Sequence, residues 1–115
     1  MPIQVIGTNK CRDTRAALRF FRERRLKIHF VDLAQRGLSR GELESVRNAV
    51  GLEALLDTEG KEYRRLNLRY LKFDPMEKLL ECPLLLRTPI VRDGPKATIG
   101  FKPEVWTGWL AAAAG

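Results

Sequence analysis

The order of apolar and helical segments predicts an α/β fold. A βαβ unit is followed by a helical insert, then by a β-hairpin and a closing helix, around one four-stranded mixed sheet. Three observations carry this. Two short apolar runs flank a helix pattern near the N-terminus. Two more short runs near the C-terminus are separated by a turn containing Gly94-Pro95. Between the two pairs, residues 38–82 carry helix caps and breaks but no strand alternation.

Residues 3–7 (Ile-Gln-Val-Ile-Gly) read as a short buried strand bounded by Gly7. Residues 12–25 read as a helix. Ala17, Leu18 and Phe21 share its apolar face, widened by Phe20, and Arg12, Arg15, Arg19 and Arg22 form a second stripe. Residues 27–33 alternate as a second strand does. Ser39 with Glu42 three residues on is a capping-box signature for a helix over 40–50, ended by Gly51. Short helices over 52–72 surround the polar break at 57–60. Asp74-Pro75 opens another helix, which runs to Glu81 and stops before Pro83. Residues 87–91 read as a third strand, 92–95 as a hairpin turn and 96–99 as the return strand. A last helix starts at Lys102-Pro103-Glu104, and its Ala111–Ala114 end is expected to fray. The first two strands should be parallel and the last two antiparallel. A βαβ unit followed by ββα is the plan of thioredoxin-like folds, with the helical insert (about 38–82) between the second and third strands of a single 1–115 domain.

Composition narrows the function classes. A chain of 115 residues with 44% hydrophobic content supports one core. No apolar run approaches the roughly 20 residues of a membrane helix. The first ten residues hold one Lys and no long apolar stretch, so no secretory signal is read there. Two cysteines 71 positions apart do not make a disulfide framework, and a reducing cytoplasm is the expected setting. The net charge of +7 suits an anionic partner. No helix-turn-helix or other nucleic-acid motif accompanies it, so direct nucleic-acid binding is not expected. His29 has no His/Cys/Asp cluster around it, and no metal is expected. Trp106 and Trp109 read as core.

Cys11 stands between the first strand and the first turn of the following helix. A thiol there faces unpaired backbone N–H groups and the positive end of the helix dipole. That setting favours thiolate, the reactive form. Thr14, one turn on, is placed to donate its hydroxyl to the sulfur. Lys10, Arg12 and Arg15 flank the thiol as candidate anion-stabilising groups. Cys82, before Pro83 at a helix end, reads as a structural cysteine rather than a resolving partner.

Three segments carry a family resemblance. They are Cys11-Arg12-Asp13-Thr14-Arg15-Ala16-Ala17, the stretch Cys82 to Val91, and Ile99-Gly100-Phe101-Lys102-Pro103-Glu104-Val105. In this order they resemble the arsenate reductase-like family, which spans glutathione-dependent arsenate reductases, Spx-type regulators and YffB-type proteins. The YffB-type branch fits best. The resemblance implies a thioredoxin-like fold and Cys11 as nucleophile. No bound cofactor is implied, and glutathione or another small thiol serves as co-substrate. It also implies a cis peptide at Thr88-Pro89 facing the cysteine, with the Thr88 backbone pairing to substrate and Arg87 beside it as an anion-stabilising candidate. The arsenate reductases hold their oxyanion with three arginines, and the matching positions here carry Asp57, Thr88 and Phe101. The two-cysteine Spx switch is absent, because position 14 is Thr. The function expected is therefore glutathione-linked thiol oxidoreduction through Cys11, with the substrate unknown and arsenate doubtful. The competing expectation is a non-enzymatic, Spx-like adaptor for a protein partner such as RNA polymerase.

Overall fold

The computed structural model describes residues 3–114. The elements are β1 (Ile3–Gly7), α1 (Arg12–Glu23), β2 (Ile28–Asp32), α2 (Arg40–Val50), α3 (Leu52–Leu55), α4 (Lys61–Arg65), α5 (Pro75–Glu81), β3 (Ile90–Asp93), β4 (Lys96–Ile99) and α6 (Pro103–Ala114), with single 3-10 turns at Leu68–Tyr70 and Pro83–Leu85. The sheet order is β2-β1-β3-β4. β1 pairs parallel with β2 and antiparallel with β3, and β3 with β4 is antiparallel. This is the thioredoxin-like arrangement.

Period-two alternation in β1 sends side chains to two cores. Ile3 and Val5 meet Ala17, Phe20 and Phe21 of α1, Trp106 of α6 and Val91 of β3. Ile6, Val31 and Ile90 meet the insert through Leu43, Val46, Leu55, Leu79 and Leu85. The sheet is thus covered on both faces, with α1 and α6 on one and the insert on the other. Trp106 is fully buried, and its indole N–H donates to Thr98 Oγ1 at 2.8 Å. Its ring lies edge-on to Phe20 and Phe101, with centroids 5.3 and 5.5 Å away.

Local chemistry explains the helix starts. Ser39 Oγ accepts from the Glu42 N–H, while the Glu42 carboxylate accepts from the Ser39 N–H, a complete capping box. Asp74 caps α5 ahead of Pro75.

Several boundaries depart from the sequence expectation. The first helix stops at Glu23 rather than 25, because Arg25 takes a left-handed φ of 56° and the chain turns at Arg24-Arg25. The second strand is trimmed at both ends. The third strand is displaced: it spans Ile90–Asp93 rather than 87–91, and the turn shrinks to Gly94-Pro95. The reason is non-local. Arg92 pairs with Gln4 across β1, and its guanidinium donates to Gln4 Oε1 and Ser45 Oγ, so a residue read as turn is held in the sheet. The last helix stays helical through Ala111–Ala114.

Candidate functional site around Cys11

Cys11 is the N-cap of α1, with extended φ and ψ of −84° and 121°. The loop before it is closed by the Cys11 N–H donating to the Thr8 carbonyl at 3.1 Å, and the Arg15 N–H takes the Cys11 carbonyl at 3.1 Å as the first turn of α1 forms. The Cys11 side chain is half-buried. Its thiol donates to the Thr88 carbonyl oxygen, with Sγ at 3.7 Å. The Thr88-Pro89 peptide is cis, as the resemblance implied. Residues 77 positions apart in the sequence thus meet at one sulfur.

The surroundings lower the pKa of the Cys11 thiol. Burial is the largest single influence and pushes the Cys11 thiol up. The Thr14 and Thr88 hydroxyls and the backbone N–H groups of Thr14 and Asp13 act together against it. They outweigh burial and hold the thiol below its ordinary pKa. The sulfur makes no capping bond of ordinary geometry to the helix. The N–H groups therefore act at longer range, as helix-end dipoles.

Thr14 is fully buried, and its Oγ1 has no hydrogen-bond partner among the described residues. It nonetheless acidifies Cys11 more than any other donor. The two facts agree if the hydroxyl is satisfied only when the sulfur ionises, since a thiolate is a far better acceptor than a thiol. Gly7 makes room for this hydroxyl. A Cβ at Gly7 would overlap Thr14 Oγ1 and stand 2.8 Å from its Cγ2. In the sequence Gly7 marks only a strand end; its packing role depends on α1 crossing over the end of β1.

The other candidates separate. Arg15 donates to the Asn9 carbonyl at 2.8 Å and so braces the cysteine loop. Lys10 and Arg12 are exposed and make no side-chain hydrogen bond or ion pair among the described residues. Arg87 is half-buried, and its N–H donates to the Leu55 carbonyl at 2.8 Å. With the Leu56–Leu86 bridge and the Asp57 N–H to Leu85 carbonyl bond, this ties the insert to the strand end that carries Thr88. Cys82 packs against the insert core. His29 is exposed, 3.5 Å from the Gln4 amide. Among the described residues no group of three His, Cys, Asp or Glu side chains could hold a metal. Of the three residues expected to replace oxyanion-binding arginines, Asp57 carries a carboxylate, Thr88 a hydroxyl, and the Phe101 ring lies edge-on to Trp106. A surface hollow of about 770 Å³ between Thr58 and Tyr70 contains none of the candidate residues.

A half-buried thiol at a helix N-cap, hydrogen-bonded to the residue before a cis-proline on a thioredoxin-like sheet, is the arrangement of a thiol oxidoreductase-like fold. Residues 6–108 match the ArsC family model, and the chain belongs to that family. It is 32% identical over 88 residues to the regulatory protein MgsR of Bacillus subtilis (strain 168), covering 68% of this chain and 70% of that protein. It is 28% identical over 102 residues to the uncharacterized protein YusI of the same strain, covering 83% and 86%. A solved structure of a YffB protein superposes with a TM-score of 0.81 at 22% identity, covering 92% of this chain and 96% of that one. No described helix is long and apolar enough to cross a membrane.

Proposed function

We propose that the protein is a thiol–disulfide oxidoreductase acting through Cys11, with glutathione or another small thiol as the second reactant. The observation that carries this is the Thr14 hydroxyl, buried without a partner beside a thiol whose pKa it lowers. The Cys11 thiolate attacks one sulfur of an oxidised substrate. That S–S bond breaks, its other sulfur leaves as thiolate, and a Cys11 mixed disulfide forms. A small-molecule thiolate then attacks this disulfide and expels the Cys11 thiolate, while Thr14, Thr88 and the start of α1 take up the returning charge. Lys10 and Arg12 are the cations nearest in sequence to hold a glutathione carboxylate. Arg15 acts indirectly, by fixing the loop through Asn9. Arsenate is not the proposed substrate, because Asp57, Thr88 and Phe101 supply no cation for an oxyanion.

The direct test is incubation with oxidised glutathione, followed by mass spectrometry of peptides. The adduct is expected on Cys11, with Cys82 at background. Equal or preferential labelling of Cys82 contradicts the reading.

A second reading is supported by the relationship to a protein named as a regulator. In it, the chain is a non-enzymatic adaptor that binds a protein partner such as RNA polymerase. It predicts that Cys11→Ser still co-purifies with the polymerase. Loss of that association in the wild-type chain argues for the enzyme alone.

A further inference from the structure

Residues 10–27 contain eight Lys and Arg side chains and only Asp13 and Glu23 as acids, a surplus of six in a chain of net charge +7. All five ion pairs among the described residues lie outside this segment. Arg24 is occupied, with its guanidinium 3.6 Å above the Phe20 ring and bonded to the Phe20 carbonyl. Arg15 is held by Asn9. Arg19, Arg22, Arg25 and Lys27 are exposed and have no such partner among the described residues.

Beside them runs a groove of about 440 Å³ with an apolar floor of Leu18, Leu26, Ile28 and Phe30, rimmed by Arg22 and Asn9, with no carboxylate in its lining. Its upper end, Asn9, lies two positions before Cys11. Its outer wall is β2, an edge strand. The Leu33 N–H bonds inward to the Gly7 carbonyl, so by alternation Val31 and His29 turn their backbones to β1. Ile28 and Phe30 therefore present their N–H and C=O groups outward, while their side chains line the groove. These groups meet no other backbone partner among the described residues.

We propose that this edge and groove seat an extended segment of a protein substrate, one that alternates apolar and acidic residues and carries the oxidised cysteine towards Cys11. The segment adds as a strand to Ile28 and Phe30, drops its apolar side chains on Leu18 and Phe30, and sets its carboxylates against Arg22 and its neighbours. The proposal names the substrate class of the Cys11 site and rests on the thiol reading. The electron balance is that of disulfide exchange, with a small thiol as reductant.

Two measurements test it. The first is fluorescence anisotropy with a labelled, thiol-free peptide of alternating Leu and Glu. Arg22→Glu, and separately N-methylation of alternate peptide amides, are each expected to weaken binding at least about 10-fold, as is replacing every Glu by Lys. Equal binding of the acidic and basic peptides overturns the proposal, as does acid preference that survives both Arg22→Glu and N-methylation. So does a sedimentation mass of twice the chain that falls to one chain in Arg22→Glu, because a second copy then occupies this edge. The second measurement is the rate at which Cys11 is consumed by the neutral disulfide 2,2′-dithiodipyridine. Arg22→Glu should leave that rate within about twofold, since a rim charge acts on charged partners. A large loss there overturns the groove's separate role. A wild-type rate no greater than that of the denatured chain instead sinks the thiol reading, and the substrate proposal with it, even where the peptide binds.

Discussion

A hydroxyl left without a partner in a protein interior costs about 1–3 kcal/mol. Thr14 Oγ1 is such a group, and Cys11 is the acceptor that can relieve it. The folded-state pKa of Cys11 is lowered, so its ionisation stabilises the fold fully above the unfolded thiol pKa. That contribution is lost as pH falls through the folded value. Thr14→Val keeps the shape and removes the donor. It is expected to move the Cys11 titration up towards the ordinary thiol range, to leave stability below that range unchanged or slightly higher, and to flatten the rise of stability with pH; denaturant titrations at several pH values read this. Gly7→Ala should destabilise by about 1–3 kcal/mol through overpacking against Thr14. Adding Thr14→Ala should return part of that loss, a coupling that denaturant melts of the single and double variants measure. Cys11, Thr14 and the cis Thr88-Pro89 peptide were legible in the sequence because a local junction and a motif announce them. Gly7 was not, because its neighbour across the helix–strand crossing lies outside any local pattern.

At the level of elements, what was legible was whatever local chemistry decides. The Ser39–Glu42 box is read directly from spacing and forms as read. Burial pushes the Glu42 carboxyl up, but the Ser39 N–H, the Arg36 guanidinium and the Ser39 hydroxyl pull it below the usual carboxylate range. Its stabilising effect is therefore present above the unfolded carboxyl pKa and fades as pH falls through the lowered folded value. Ser39→Ala should cost about 1 kcal/mol, read as a lower denaturation midpoint at neutral pH. The third strand was misplaced because its register is set by Gln4 and Ser45, from β1 and α2, on the far side of the sequence. An arginine and an aspartate before Gly-Pro look like a turn until a partner strand is supplied.

For the whole molecule, the sheet is a partition between two cores, and Cys11 stands at its rim, where α1, β1 and the cis Thr88-Pro89 peptide converge. Trp106 closes one core entirely. Trp106→Ala should cost about 3–5 kcal/mol by denaturant unfolding, since it leaves a large cavity between α1 and the sheet. Total charge alone gave little direction, because +7 fits many proteins. Its concentration beside β2 became meaningful only when folding placed it along an unpaired edge that leads to Cys11. The reading of Asp57, Thr88 and Phe101 as replacements for arginines rests on the sequence resemblance alone; in the structure the Phe101 ring lies edge-on to Trp106 and the Thr88 carbonyl accepts from the Cys11 thiol.

The central claim is that this fold keeps Cys11 as a reactive thiolate. Iodoacetamide alkylation of Cys11 against pH, with Cys82 followed in the same digest, tests it most directly. The predicted result is a Cys11 profile whose midpoint lies below that of an ordinary thiol and moves up in Thr14→Val. A Cys11 midpoint at or above the ordinary thiol value, unmoved by Thr14→Val, would contradict it.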